Sequence, residues 1–370
     1  MKGYLKMKKI KILHVIAGMD RCGAETFLMN VFRNINRNKF EFYFLCYGEK
    51  KYDYEEEIEK LGGYIIRIPS LKQSGLIEYI KNLNQLIKEK KFDVIHTHTY
   101  FNSAIPLLIA RKRKLKLRIV HSHSTMSEYT SSLIKKIYNY ISKYIIDKNA
   151  NVFLACSDEA GKSLFYEKRK FKVIKNGIDL KKFLFDAEKR KDLRKELNIQ
   201  NNDIVIGHIG RFEEEKNHEF LIDVFKNILK KDENYKLVLV GNGSRFEEIK
   251  KKCQPYKENI IFLGNIGNVS EIINTFDFFV FPSLFEGLGI VLIEAQANGL
   301  KCFVSTEVPV EANIFNKLKY LKLSEGVNEW SREIMKEIPT RNEVDIRNCE
   351  YNISNTVNEL EKIYVDTWRD

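Results

Sequence analysis

The stretch Ile10-Lys11-Ile12-Leu13-His14-Val15-Ile16 runs into Ala17-Gly18-Met19-Asp20-Arg21-Cys22-Gly23 and then into Ala24-Glu25-Thr26-Phe27-Leu28-Met29-Asn30-Val31-Phe32. The first part is a short, mostly apolar run, which predicts a strand covered on both faces. The second is a glycine-bounded turn. In the third, Ala24, Phe27, Leu28, Val31 and Phe32 recur at i, i+3, i+4, i+7 and i+8, the stripe of an amphipathic helix. Strand, glycine turn and helix in that order are the opening unit of a doubly wound parallel α/β sheet.

The same alternation continues outward. Strands are predicted at Phe40–Cys46, Tyr64–Ile68, Val94–His96, Leu117–Ser122, Val152–Cys156 and Phe171–Ile174, with helical stretches between most of them. It then restarts at Ile204–Ile209, Lys236–Val240, Asn259–Leu263, Phe278–Phe281 and Lys301–Ser305. The charged stretch from Asp179 to Asp203 reads as a linker and the start of a second domain. The expected division is residues 1–180, residues 181–350 and a C-terminal helical segment, 351–370, which either packs on the second domain or crosses back to the first. No motif is recognisable between Lys317 and Cys349.

A chain of 370 residues, 44% hydrophobic and 30% charged, has ample material for a core and is not disordered. Its length favours two domains. The formal charge of +12, from 62 Lys and Arg against 50 Asp and Glu, calls for an anionic partner without choosing among nucleic acid, phosphorylated small molecule and membrane. The six cysteines are scattered and form no C-x-x-C pair, so neither a zinc ribbon nor a disulfide framework is expected, and a reducing cytoplasm is. No run reaches the ~18 apolar residues of a membrane span. The lysines Lys2, Lys6, Lys8, Lys9 and Lys11 precede an apolar run too short for a signal peptide.

Ligands of such sheets bind beyond the carboxyl ends of the strands. There stand Gly23, before the first helix, and the pairs His96-Thr97-His98 and His121-Ser122-His123, each with both imidazoles on one strand face. Metal binding at the histidines is disfavoured because no cysteine or carboxylate lies at a matching short spacing. In the second half, Gly210-Arg211 is followed by Lys216-Asn217, a guanidinium fork and an ammonium suited to a diphosphate, or else two solvated cations beside Glu213, Glu214 and Glu215. Gly241-Asn242-Gly243-Ser244 is either a turn or a place where a nucleoside meets backbone. The most informative stretch is Phe281-Pro282-Ser283-Leu284-Phe285-Glu286-Gly287-Leu288-Gly289, followed by an apolar helical run carrying Glu294. Gly287 and Gly289 leave the N–H groups at the helix start open to an anion. Glu294, on an apolar face, needs partners that ligand hydroxyls would supply.

With these residues in view, the chain resembles the retaining, nucleotide-sugar-dependent glycosyltransferases of family 4, of GT-B fold: two Rossmann-like doubly wound domains facing a central cleft. Similar enzymes build bacterial capsule, exopolysaccharide and cell-surface glycans. The resemblance runs from Gly23-Ala24-Glu25 to the strand after Cys302 and includes Asn176-Gly177-Ile178-Asp179 at the domain junction. It implies that Glu294 binds the donor ribose and Glu286 the transferred sugar. Arg211 and Lys216 would neutralise the diphosphate with the backbone around Leu288 and Gly289. Gly23, Asn242, Gly243 and Gly287 would complete the donor site. His123 would be the active-site histidine, with His96, His98 and His121 on the acceptor side. The implied donor is a UDP-sugar, with no cofactor and no metal; the implied acceptor is a lipid-linked saccharide. One departure is Cys22, where the family often has glycine; a positive φ there would strain it.

Four other readings fit the sequence less well. An epimerase would need an acid–base set that is not found, and a phosphorylase a longer chain. A non-catalytic partner in glycan assembly would have lost the motif residues, which are intact. Nucleic-acid binding lacks any recognisable motif. Part of the positive charge sits in Arg111-Lys112-Arg113-Lys114 and beside the helical stretch Leu133–Ile146, whose apolar residues alternate with lysines. The ordinary reading packs that stripe into the core. The alternative lays it on an anionic membrane face, making the protein peripheral on the inner side of the cell membrane.

Overall fold

The computed structural model describes residues 8–124 and 133–369; Lys2 and Lys6 lie outside the described residues. The chain divides into two units, residues 1–178 with 350–370, and residues 179–349.

The first unit holds a seven-stranded parallel sheet: β1 (Ile10–Val15), β2 (Phe40–Tyr47), β3 (Tyr64–Ile68), β4 (Val94–Thr97), β5 (Leu117–Ser122), β6 (Val152–Ala155) and β7 (Lys172–Val173). Their spatial order is β3-β2-β1-β4-β5-β6-β7. Order reverses between β1 and β4, where His14 pairs in register with His96. Alternation sends Ile12, Phe42 and Phe44 to one face, under the helix Gly23–Asn34 and the C-terminal helix Ile353–Arg369. Leu13, Val15, Tyr43 and Leu45 go to the other, against Leu83 and Leu107. Both faces are therefore core, which is why these strands read as continuous apolar runs.

The C-terminal helix is integral to this first unit. Tyr364, fully buried, lies between Phe40 and Phe42 and hydrogen-bonds His96 Nδ1 through its hydroxyl at 2.9 Å. The chain leaves the unit at Ile178 and returns beside it: Ile178 N–H donates to Tyr351 O (2.7 Å) and Ile353 N–H to Ile178 O (3.0 Å). Gly177 is required by this crossing, since a Cβ there would sit 2.9 Å from Ile353 Cα.

The second unit repeats the design with β8 (Ile204–Ile209), β9 (Tyr235–Val240), β10 (Ile260–Gly264), β11 (Phe278–Phe281), β12 (Lys301–Ser305) and β13 (Leu318–Leu321), in the order β10-β9-β8-β11-β12-β13, all parallel. Two expectations need correction here. The linker of residues 179–203 contains a helix, Ala187–Glu196, docked by charge: Arg190 and Arg194 reach opposite oxygens of Asp277 at 2.6 and 2.7 Å. The motifless stretch after Lys317 supplies β13 and a helix, Gly326–Met335, whose Trp330 is fully buried and donates to Lys322 O.

A third correction concerns Leu133–Asn149, which is a helix, but with its stripe outward. Ile134 is 81% exposed, and Leu133, Ile137, Tyr140, Ile141 and Tyr144 are also exposed, whereas Ser142, Ile146 and Asn149 are buried. Among the described residues, no helix is long and apolar enough to cross a membrane.

Candidate functional site

In the second unit, the order reversal falls between β8 and β11, and the carboxyl ends of both strands carry the motif residues. Beyond β8, Gly210 and Arg211 lead to a short 3-10 turn, Glu214–Lys216, and to Asn217 at φ 54°. Asn217 Nδ2 donates to Pro282 O (3.1 Å), and Leu284 N–H to Glu215 O (2.8 Å), tying the two loops together. Across that tie the Lys216 ammonium is bonded to Glu286 Oε2, both side chains about seven-eighths buried, with the Phe281 ring 5.0 Å below the ammonium. Arg211, in contrast, is 75% exposed and holds Glu215 only loosely at 3.2 Å. One of the two expected cations is thus already neutralised by the expected sugar-binding carboxylate, and the other is free to swing.

Gly241 and Gly243 serve packing. At Gly241 (φ 132°) a Cβ would lie 2.0 Å from Gly210 O, and at Gly243 it would lie 2.6–2.8 Å from Phe212 backbone. Asn242 O accepts from Phe212 N–H, while Ser244 donates twice to Glu213. The turn reading suffices to explain these residues.

Gly287 is different. Its φ is not positive and a Cβ would meet nothing within 4 Å, so neither backbone nor packing asks for glycine. Gly289 does need it, adopting φ 68° at the start of the helix Ile290–Ala297, whose first N–H groups have no side-chain cap. Leu288 lies between them, half-buried. One turn in stands Glu294, flanked by the buried Ile293 and Ala295. Burial pushes its carboxyl up to about 8, and among the described residues no cation or donor side chain holds it.

In the first unit, histidines from three strands converge beyond the order reversal between β1 and β4. His14 Nδ1 lies 3.1 Å from His98 Nε2, and His98 Nδ1 lies 2.9 Å from His123 Nε2. His96 stacks on His121 (5.4 Å), and His121 packs on His123 (4.1 Å). Burial drives the protonated form out: His14 and His123 are lowered to about 3, and His96, His98 and His121 also fall well below their ordinary value. Neutral imidazoles are metal-ready, and two trios, His14-His96-His98 and His98-His121-His123, hold ligand atoms within 4.8 Å. Both trios pass through His98, whose two nitrogens are already engaged by other rings. Sequence reading missed His14 as a member; its signal was its place at the end of the first strand, beside the strand that carries His96.

A cavity of about 460 Å³ opens beside this cluster, within the first unit, lined by Glu25, Tyr47, Tyr79, His98, Asn102 and Tyr138 among others. Tyr47 and Tyr79 share a hydroxyl–hydroxyl bond of 2.7 Å, and Tyr138 donates to Asn102 at 2.6 Å. Glu25 is raised from its ordinary value by burial. Of the three histidines expected on the acceptor side, only His98 lines the cavity; His96 and His121 have no exposed surface and cannot touch a ligand there. The strain feared at Cys22 is absent, for its φ is −115°. Gly23 has open space where a Cβ would be.

Comparison with known proteins bears on the fold and the family. Residues 22–182 match the family described as Glycosyltransferase Family 4, and residues 189–338 match Glycosyl transferases group 1. EpsF of Bacillus subtilis (strain 168) is 34% identical over 333 residues, 88% of this chain and 86% of that one. The capsular polysaccharide biosynthesis glycosyltransferase CapH of Staphylococcus aureus is 30% identical over 371 residues, 96% and 99% of the two chains. Among solved structures, Anabaena HepE in complex with UDP-glucose superposes with a TM-score of 0.70 at 17% identity, over 97% of each chain. Sequence likeness over nearly the whole length, on two Rossmann-like sheets, places this chain in the group 1, family 4 glycosyltransferases of GT-B fold, with a relative named for capsular polysaccharide biosynthesis.

Proposed function

We propose that this glycosyltransferase takes a hexosyl group from a UDP-sugar and passes it to a hydroxyl of a lipid-linked saccharide with retention of configuration, without needing a divalent metal. The observation that carries the donor half is Glu294. A partly buried carboxylate without a protein partner is costly, and a ribose diol supplies two donors at once. The diphosphate then lies toward the uncapped helix start at Gly289, where Gly287 leaves room for it.

Cleaving the bond between the anomeric carbon and the phosphate oxygen builds negative charge on the leaving diphosphate. The N–H groups at Leu288 and Gly289 are fixed positive ends that can take up that charge, joined by the exposed Arg211 and by Lys216, whose charge Glu286 shares, the task a metal performs elsewhere. The acceptor oxygen bonds to the anomeric carbon from the face the phosphate leaves, and its proton passes to the departing phosphate oxygen. Glu286 orients the transferred sugar through its hydroxyls, sharing its charge with Lys216. His123 contacts substrate. Asn242 and Gly243 are assigned to the nucleoside side of the donor, and Gly23, in the first unit, is open to substrate with nothing near the place of a Cβ.

The acceptor half is supported by the cavity at His98, whose paired hydroxyls and Glu25 suit a saccharide. Tyr138 belongs both to that cavity and to the exposed apolar helix, where Lys135, Lys136 and Lys143 flank the stripe. Such a face suits an anionic membrane, and the lipid of the acceptor with it.

The test is thermal stabilisation by UDP-, GDP- and ADP-sugars, followed by hydrolysis of the stabilising donor without acceptor, with and without EDTA. Stabilisation by UDP-sugars that E294Q loses is the expected result. No stabilisation by any sugar nucleotide refutes the donor reading, and loss of turnover in EDTA refutes metal independence.

A further inference from the structure

We infer that His98 is a positioning residue: anchored by His14, it locks the ring and the tautomer of His123, and so decides what His123 offers to substrate. The inference rests on the reading of His123 as a substrate-contacting residue.

Three rings stand in a row, His14 Nδ1 to His98 Nε2 at 3.1 Å and His98 Nδ1 to His123 Nε2 at 2.9 Å. Each nitrogen–nitrogen contact is a hydrogen bond only if it holds one proton, and a neutral imidazole brings one. Three neutral rings and two contacts leave two arrangements. In one, all three rings carry the proton on Nε2, and His123 shows substrate a bare Nδ1. In the other, all three carry it on Nδ1, and His123 shows an N–H. A mixture leaves a contact with two protons or with none, at hydrogen-bond distance in a buried site, which costs the full desolvation of both groups.

The surroundings hold the row together. His14 is fully buried against Phe42 (4.3 Å) and Phe44 (5.8 Å), so its ring cannot turn out to water. His98 is clamped by rings on several sides, with His96 at 4.2 Å and His121 at 5.7 Å. At the far end, the Nδ1 of His123 is buried and has no hydrogen-bond partner among the described residues; on the substrate-contacting reading, a substrate atom reaches it once the ring is uncovered. His14 does not line the cavity, and among the described residues its hydrogen-bonded route to His123 runs through His98.

Nitrogen-15 spectra of the imidazoles, in the full chain without ligand, test this independently of any activity. The expected result is one shared tautomer for His14, His98 and His123, with His98→Phe freeing the tautomer of His123 from that of His14. Turnover provides the second readout, as hydrolysis of UDP-glucose and UDP-galactose. His98→Phe should lower kcat about 10-fold or more with little change in donor KM, as loss of an orienting partner does, and His98→Gln should restore part of it. Unlike tautomers along the row overturn the inference. So does zinc bound stoichiometrically in the purified protein, since it would occupy the same nitrogens, and so does full turnover in His98→Phe where His123→Ala has none. If His123→Ala also turns over fully, the reading of His123 fails, and the spectra still judge the row. If His98→Phe does not fold, the wild-type spectrum alone decides.

Discussion

Replacing Glu294 by glutamine separates what this residue costs the fold from what it gives the donor site. Its carboxyl is moved from 4.5 to about 8 by burial among apolar neighbours. Between those two values the unfolded chain has lost the proton while the folded one keeps it, so stability declines as pH rises and levels off above about 8. At about 1.4 kcal/mol per pH unit the decline has a ceiling of roughly 5 kcal/mol, which the exposed edge of the side chain reduces. Glutamine keeps the shape and never ionises. In ligand-free thermal melts, Glu294→Gln should therefore match the wild type near pH 5 and exceed it increasingly toward pH 9, by ~5 °C or more for a chain of this size. The same variant should bind UDP-sugar about 10–100-fold more weakly, because charge-assisted bonds worth about 1.5–3 kcal/mol become neutral ones. A melting difference that does not change with pH would refute the buried-carboxylate reasoning. Unchanged donor affinity would refute the ribose role.

Gly287→Ala should leave the melting temperature within about 1 °C, since its Cβ enters open space, and should weaken donor binding measured by calorimetry. Lys216→Ala leaves Glu286 without its cation at a largely buried place; kcat should fall about 100-fold or more, measured as donor hydrolysis. Ile134→Glu with Ile137→Glu should abolish sedimentation with anionic vesicles while donor-induced stabilisation persists; equal sedimentation would remove the membrane role of that helix. Tyr364→Phe strips His96 Nδ1 of its hydroxyl partner and should cost about 1–3 kcal/mol in urea unfolding.

The sheets were legible because parallel strands buried on both faces leave dense apolar runs, and both of these sheets are built that way. What sequence reading lost was held by charge or distance. Leu318-Lys319-Tyr320-Leu321 hides an edge strand because Lys319 is kept within the fold by Glu333 at 2.6 Å and Glu337 at 3.2 Å. The helix Ala187–Glu196 looks like a linker because arginines, not leucines, dock it. At the site, the glycine and glutamate motif placed Glu294 and Glu286 well, since a short loop before a helix leaves little freedom. The pairing of Lys216 with Glu286 spans 70 residues, and the union of His14 with the later histidines spans 84; only the strand order brings them together. The stripe on Leu133–Asn149 was read inward because periodicity shows which residues share a face, not what that face meets.

The second unit sits, along the chain, inside the first. Because Tyr364 seals the face carrying Phe40, Phe42 and His96, a nascent chain has made every strand of its first sheet long before it possesses the helix that covers it. The first unit must wait for all of residues 179–349 to be synthesised, at about 5–20 residues per second in translation, with an aromatic face uncovered. The unit made second can thus finish folding first, and the final helix decides when the histidine row acquires its roof.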